Sequence, residues 1–475
     1  MSKGRDGGLW APERRALTAG LVLTITFVAS EALAVVTVMP VAARDLGGVR
    51  LYGWVFSGFF LGNVIGIVLA GREADRRGPA LPFVAGLVFF GVGLAIAGLA
   101  PTMGVLVAGR VLQGMGAGAV PSVAYATIGR CLPRSLRARM MAVLSTAWVL
   151  PGLAGPVVAA EVARAFGWRW VFLGLLPVVA VAGSIAVPAL VRIGPPAAAD
   201  TEEQPRLIDA LRTAAGATLL LAGLTLAAGS GDVLAGCALI AVGAVAGLPA
   251  LRRLLPPGTL TARAGLPAVV LARGLLTFTF FGADAYVTLA VTAVRHHSPV
   301  YAGIAVTGST LAWTAGAWVQ ARLNDTWEGR RLMRIGLVIV LAGIGGMAMA
   351  LQPAVPAWSA LAAWTVAGFG MGLAYAPISL MMLRKAPPGR EGRISASLNL
   401  ADVLGTAIGI GIGGAAVAAT AGTDLRLGVT AAFAIMALAG VTLLAVTPRL
   451  PAGTGSAPPP SAEPVPAPAP GGATP

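Results

Sequence analysis

The amino-acid sequence predicts an all-α integral membrane protein. Of its 475 residues, 57% are hydrophobic and only 11% are charged, and the mean hydropathy is +0.82. Soluble proteins are typically about 25% charged. The net charge of +15 is divided among short loops, which favours a membrane surface over nucleic acid as its partner.

Runs of about 20 apolar residues, the length that crosses a bilayer as a helix, recur along the chain. They predict fourteen spans, at 17–40, 51–70, 79–100, 103–129, 139–163, 170–191, 213–229, 233–250, 266–292, 301–322, 332–351, 356–382, 395–418 and 427–447. The seventh and eighth are short and could lie in the membrane interface instead. Removing both would leave the orientation of every other span unchanged.

The basic residues predict that both termini are cytoplasmic. With the amino terminus inside, 26 of the 34 Lys and Arg fall in cytoplasmic segments and six fall outside. This is the asymmetry that cytoplasmic loops usually show. We therefore expect a multi-pass protein of the inner (cytoplasmic) membrane.

An internal repeat indicates two homologous halves. The pattern Gly-Met-Gly, then four residues, then Pro occurs at 114–121 and again at 370–377, and Glu31 and Asp284 are offset by a similar distance. Such repeats build transporters whose site lies between the halves. The predicted organisation begins with a cytoplasmic segment at 1–15 and a six-helix bundle at 16–192. A linker with two extra spans follows at 193–264. A second six-helix bundle at 265–448 and a disordered Pro/Ala-rich cytoplasmic tail at 449–475 complete it.

A charged motif closes the second span. Gly71, Asp75, Arg76 and Gly78 have the spacing of the loop between spans two and three in the major facilitator superfamily, which this sequence resembles. Pro79 departs from the pattern, since the family usually has a basic residue there. The resemblance implies an inner gate in which Asp75 pairs with arginines and a helix N-terminus. The alternative is an ordinary charged turn.

A second motif lies in the fourth span. Arg110, Gln113 and Gly114 resemble a family pattern that faces the central cavity, and helical geometry puts them on one side. An arginine inside the membrane must be paired or hydrated. The resemblance implies that Arg110 tunes the proton affinity of a nearby acid; the alternative is a structural arginine bound to backbone carbonyls.

A third motif, in the fifth span, resembles one that separates exporters from importers in the superfamily. Gly152, Gly155 and Pro156 resemble the antiporter signature of the superfamily, although Pro151, Ala159 and Ala160 stand where glycines are usual. Small residues let helices approach closely and proline kinks a helix. The resemblance extends over roughly 15–448 and is nearest to the fourteen-span drug:proton antiporters. The alternative is ordinary tight packing.

Acids inside the spans are the candidate proton carriers. A charge at membrane depth costs about 3 kcal/mol by insertion scales, so such residues usually serve a function. Glu31 and Asp284 occupy equivalent positions in the two halves, and in the family their helices line the cavity. They form the predicted proton-coupling pair. Secondary candidates, with a gate or packing role as the alternative, are Glu161, Asp402, Asn399 and Arg273.

These features predict a proton-coupled exporter of small lipophilic compounds. We expect it to act as a monomer surrounded by membrane lipids, with no nucleic acid, cofactor or metal. A phosphate-binding loop ending in Gly-Lys-Ser or Gly-Lys-Thr is absent from the sequence, which disfavours ATP hydrolysis. An exporter of one metabolite or siderophore, or a non-transporting receptor or scaffold, remains as an alternative. No cluster typical of an enzyme is visible in the sequence.

Overall fold

The structure, a computed structural model, is helical along nearly all of the chain that it describes. It describes residues 8–12, 14–132, 149–193, 204–229, 231–323, 326–385 and 391–451, with scattered positions between 136 and 147. The predicted N-terminal segment lies partly outside these residues. The predicted disordered tail lies almost entirely outside them.

Fourteen long helices follow one another within the described residues. They are α1 (Arg15–Asp45), α2 (Tyr52–Arg77), α3 (Ala80–Gly98), α4 (Met103–Cys131), α5 (Val149–Phe166), α6 (Arg169–Val191, with a break at Gly174), α7 (Gln204–Gly229), α8 (Val233–Leu254), α9 (Leu266–Leu289), α10 (Pro299–Leu323), α11 (Gly329–Ala350), α12 (Trp358–Lys385), α13 (Glu391–Thr420) and α14 (Leu425–Val446). A short π-helical stretch, Ala290–Val294, continues α9.

These helices confirm the predicted all-helical fold and match the fourteen predicted spans in number and order. Twelve of those in the described residues are long and apolar enough to cross a membrane, and they include α7 and α8. The other two are α5 and α10; polar residues such as Thr307, Ser309 and Thr314 lower the mean hydropathy of α10. Helix α7 begins at Gln204, well before the predicted 213, because its polar first turns are helical too.

The first six helices and the last six pair in the same order. In each set the second and third helices pack on the fourth, and the fifth and sixth pack on the first. Across the sets the pairing is reciprocal, since α2 packs on α13 and α5 packs on α10. These repeated contacts agree with the internal repeat in the sequence.

At the repeated motif, glycines bring the fourth helix of each set against the second. A Cβ added at Gly114 of α4 would lie 1.9 Å from the backbone oxygen of Phe59 in α2. A Cβ added at Gly372 of α12 would lie 2.2 Å from the backbone oxygen of Trp313 in α10. Only residues without side chains permit such close approach of two helices.

The two sets are joined tightly at one end of the bundle. We call the end where α1 begins and α14 finishes the terminal end, and the other the opposite end. At the opposite end a Cβ added at Gly53 of α2 would lie 2.6 Å from the Cα of Gly414 in α13. Nearby, the hydroxyl oxygens of Tyr52 and Thr288 are 3.3 Å apart, and Thr288 donates to the backbone oxygen of Val36 at 2.7 Å. Cavities lie near both ends: one of about 290 Å³ between α2, α7, α8 and α13 near the terminal end, and one of about 830 Å³ beside α2 and α7 at the opposite end.

Candidate functional site

The candidate residues of α4 meet the candidate acid of α1. The Arg110 guanidinium donates through Nη1 to Glu31 Oε1 and to Gln113 Oε1, the latter at 2.8 Å. Gln113 Nε2 donates to the same Glu31 oxygen at 3.2 Å. All three side chains are buried. The structure therefore brings Glu31, Arg110 and Gln113 into one cluster.

Arg110 is anchored by groups beyond this cluster. Its Nε donates to the backbone oxygen of Val55 at 3.2 Å, and its guanidinium carbon lies 4.2 Å from the ring centroid of Phe59. A buried ion pair is tolerated when its remaining donors also have partners. The negative charge of Glu31 is thus compensated, although Glu31 Oε2 has no hydrogen-bond donor among the described residues.

The acid of α9 has a different environment. Asp284 Oδ1 accepts a hydrogen bond of 2.9 Å from the indole Nε1 of Trp364 in α12. Asp284 is partly exposed, and no arginine, lysine or histidine of the described residues forms an ion pair with it. The two predicted coupling acids therefore differ: Glu31 is buried with a counter-ion, whereas Asp284 is accessible and has only a neutral donor.

An aromatic wall extends from Asp284 along the second set of helices. Trp364 stacks on Phe280 with ring centroids 5.2 Å apart, and Phe280 meets Trp313 at 5.5 Å. Trp313 in turn meets Tyr375 at 5.5 Å. Trp313 and Tyr375 are partly exposed. These rings offer an apolar surface beside an uncompensated carboxylate.

The far end of this wall carries a second charge pair. Arg273 Nε of α9 lies 3.6 Å from Asp402 Oδ1 of α13, and Tyr375 donates to Asp402 Oδ2 at 3.1 Å. Arg273 also donates to Ser379 Oγ at 2.7 Å and lies over the Tyr375 ring, 3.6 Å from its centroid. The secondary candidates Arg273 and Asp402 are therefore paired with each other.

The predicted gate motif forms the last turns of α2. The helix continues to Arg77 and ends at Gly78, whose φ of 87° lies in the region that favours glycine. Arg76 is exposed at this end, and a Cβ added at Gly71 would meet nothing within 4 Å. The side chain of Asp75 lies outside the described residues, so its predicted pairing stays a prediction.

The predicted antiporter motif lies where the two sets of helices meet. A Cβ added at Gly152 of α5 would lie 2.5 Å from Thr310 Cγ2 of α10. One turn further, the backbone oxygen of Pro156 would lie 3.1 Å from a Cβ added at Gly303 of α10. Gly155 faces α1, since its added Cβ would lie 3.9 Å from Leu33 Cβ. The small residues of the motif thus allow α5 to contact both sets.

Two secondary candidates lie apart from the charged clusters. Glu161 is on the surface of α5, where its carboxylate accepts from Arg164 Nε at 2.8 Å within the same helix. Asn399 is exposed and lines the cavity near the terminal end. Neither side chain is brought to Glu31 or Asp284.

Sequence reasoning missed Trp364, the donor to Asp284. It is fully buried and lies six residues after the start of α12, whereas tryptophans of membrane proteins concentrate at the interfaces. A buried indole N–H usually has an acceptor. A tryptophan inside a predicted span, eight residues after its start at 356, was therefore the available signal.

Comparisons with known proteins agree with this architecture. The family model described as Major Facilitator Superfamily matches residues 19–410 and 269–471. A protein named "Probable multidrug-efflux transporter" from Mycobacterium tuberculosis is 27% identical over 86% of this chain and 88% of its own. A "Multidrug resistance protein B homolog" from the same organism is 26% identical over 79% of this chain and 71% of its own.

Solved structures resemble the fold at low sequence identity. The crystal structure of an auto-inhibited peptide transporter of the POT family has a TM-score of 0.65, with 16% identity over 92% of this chain and 98% of that one. This likeness supports the fold alone. The family match, which extends over most of the chain, places the protein among membrane transporters rather than enzymes. The chain belongs to the Major Facilitator Superfamily.

Proposed function

We propose that this protein exports small lipophilic cations in exchange for protons. The observation that carries the proposal is Asp284, a partly exposed carboxylate within a span whose partner is the neutral Trp364. The aromatic wall beside it supplies an apolar surface, and aromatic faces also attract cations. The names of the relatives, which refer to multidrug efflux and resistance, support the same function.

Exchange follows from competition for one carboxylate. An uncompensated charge inside the membrane costs about 3 kcal/mol by insertion scales, and either a proton or a cationic substrate removes that cost. The two ligands exclude each other at Asp284, so loading of one releases the other. A ligand shifts a conformational equilibrium only by its differential affinity for the two states. Protonation of Asp284 supplies such a difference.

Glu31 has a supporting role in this scheme. Arg110 already compensates its charge, so a cationic substrate would have to displace a buried guanidinium to reach it. Its second oxygen, Oε2, can still accept a proton. Glu31 is therefore a secondary proton acceptor, and Arg110 and Gln113 set its environment.

The conformation fits one state of an alternating-access cycle. The positive-inside asymmetry makes the terminal end cytoplasmic. With the opposite end closed through Gly53 and Gly414, the structure then corresponds to an inward-facing state. Exchange of one proton for one monovalent cation moves no net charge, so the pH gradient and not the membrane potential drives export; each unit of pH difference supplies about 1.4 kcal/mol.

The decisive experiment is accumulation of tetraphenylphosphonium in everted membrane vesicles, whose cytoplasmic face points outward, energised by a proton gradient. We expect Asp284→Asn to abolish proton-driven transport while the protein still inserts. Glu161→Gln is the matched control, because it neutralises an exposed acid already paired with Arg164. Normal transport by both Asp284→Asn and the double variant with Glu31→Gln would contradict the coupling assignment.

A further inference from the structure

The helix pair α7–α8 is attached to both sets of helices. Leu221 of α7 packs on Leu61 of α2 and Ala407 of α13. Towards the opposite end, Trp54 Nε1 of α2 donates to Thr225 Oγ1 of α7 at 3.0 Å. Helix α8 is largely exposed. The pair therefore covers the seam between α2 and α13 on the side that faces the membrane.

Near the terminal end this seam holds the cavity of about 290 Å³. Most of its lining is apolar and comes from all four helices: Val64, Val68, Leu207, Ala210, Leu254 and Val403. The polar lining residues are Arg72, Ser397 and Asn399. The Ser397 hydroxyl already donates to the backbone oxygen of Leu254 at 3.0 Å, and Arg72 provides the charge in a mostly apolar lining.

The ends of α2, α7 and α8 around the cavity are basic. Seven arginines stand there against three acids: Arg72, Arg76, Arg77, Arg206, Arg212, Arg252 and Arg253 against Glu73, Asp75 and Asp209. Glu73 pairs with Arg77 at 3.3 Å, and Asp209 pairs with Arg253 at 3.3 Å. These two acids therefore compensate arginines other than Arg72.

We propose that the cavity binds one anionic phospholipid of the cytoplasmic leaflet, with its phosphate at Arg72 and an acyl chain against the apolar wall. A guanidinium binds a phosphate through parallel, charge-assisted hydrogen bonds. Basic pockets between spans on the cytoplasmic side suit acidic head groups. The argument for this lipid site does not depend on the proposed exchange reaction. Only the assignment to the cytoplasmic leaflet depends on the proposed orientation.

Such a lipid would also act on conformation. If access alternates, α2 and α13 must approach each other at the terminal end when the opposite end opens. A lipid between Val68 and Val403 occupies the space that this approach removes. The bound lipid therefore stabilises the conformation described here.

The test is native mass spectrometry of the full chain purified in detergent, with synthetic palmitoyl-oleoyl phosphatidylglycerol or the matching phosphatidylcholine added. We expect the wild-type protein to retain one phosphatidylglycerol in clear preference to phosphatidylcholine. Arg72→Gln should reduce that retention about tenfold, the effect of losing roughly 1.4 kcal/mol of binding. Arg322→Gln, an exposed arginine at the same end of α10, should leave it unchanged.

A second variant tests the apolar part of the site. Ala210→Phe fills the cavity and should abolish retention of both lipids, with size-exclusion chromatography reporting whether the protein is folded. Equal retention of the two lipids, or unchanged phosphatidylglycerol retention in Arg72→Gln, would overturn the proposal. So would displacement of phosphatidylglycerol by tetraphenylphosphonium, since that result assigns the cavity to a cation. Displacement by inorganic phosphate at millimolar concentration would likewise show that the acyl chain contributes nothing.

Discussion

At the scale of single residues, the four acids within the spans have four different environments. Glu31 is buried with Arg110, Asp402 pairs with Arg273 and Glu161 pairs with Arg164 on the surface. Among the residues that the structure describes, Asp284 has the Trp364 indole as its donor and no cationic partner. A carboxylate is available to a proton or cation when no fixed positive charge satisfies it, which separates Asp284 from the other three.

The indole of Trp364 gives a direct test of how Asp284 is held. Trp364→Phe removes the N–H donor but keeps a ring that stacks on Phe280. A hydrogen bond to a charged group contributes about 1.5–3 kcal/mol. Without it, the ionised carboxylate that exists between release of the proton and binding of the cation is less stable and forms less often. We expect proton-driven accumulation of tetraphenylphosphonium in everted vesicles to fall about tenfold or more. Trp358→Phe, at an exposed ring of the same helix, should transport normally; equal rates in both variants would contradict the role of Trp364.

The cluster around Arg110 predicts a pattern of stabilities. Removing one partner of a buried ion pair costs about 3–5 kcal/mol, whereas replacing both partners by neutral groups can cost little. Glu31→Gln and Arg110→Gln should therefore each lower the thermal unfolding midpoint in detergent. The double variant should unfold closer to the wild type than either single variant. Additive losses in the double variant would mean that the two charges do not compensate each other.

At the scale of helices, glycine contacts set the distance between neighbours. A Cβ at Gly114 would overlap the backbone of Phe59, and backbone cannot move aside as a side chain can. The contact recurs at Gly372 in the second set. The repeated Gly-Met-Gly pattern thus reflects the close packing of the fourth helix against the second in each set.

This contact can be tested with two substitutions in one helix. Gly114→Ala should force α4 away from α2 and lower the thermal unfolding midpoint in detergent. Gly104→Ala lies in the first turn of the same helix, where an added Cβ meets nothing within 4 Å. Alanine is favoured over glycine in a helix by roughly 0.5–1 kcal/mol, so Gly104→Ala should be neutral or slightly stabilising. Similar destabilisation by both would indicate that the packing at Gly114 is not tight.

At the scale of the whole molecule, the two sets of helices contact each other backbone to backbone at the opposite end. Gly53 and Gly414 bring backbones together, and Tyr52, Thr288 and Val36 form hydrogen bonds beside them. Tyr52 and Thr288 are fully buried. If access alternates as proposed, these contacts must break when the opposite end opens.

A wedge at this contact should shift the conformational equilibrium. Gly53→Ala places a methyl group 2.6 Å from the Cα of Gly414, so it should favour states open at the opposite end. The measurement is labelling by a membrane-impermeant maleimide of Thr288→Cys in a background with Cys131→Ser and Cys237→Ser. Labelling from outside right-side-out vesicles should increase with Gly53→Ala. It should not change with Gly422→Ala, whose added methyl meets nothing within 4 Å; a Gly53→Ala variant that stays unlabelled would contradict the wedge.

Sequence reasoning was sufficient for the arrangement of helices but not for the placement of side chains. It predicted the fourteen helices and the repeat, and it listed Glu31, Arg110 and Gln113 as candidates. It treated Glu31 and Asp284 as equivalent and passed over Trp364. The reason is that span helices are apolar on all sides, so their patterns do not reveal which face turns inward.

What the sequence by itself determined is the membrane class, the number of spans and the family. These properties depend on local hydropathy and on motif spacing, which a chain carries without being folded. Only the tertiary structure decided which acids have counter-ions. It also decided how α7–α8 joins the two sets, and where cavities remain. Those properties depend on neighbours from spans distant in sequence, such as Trp364 beside Asp284 and Arg273 beside Asp402, and helix packing alone brings these residues together.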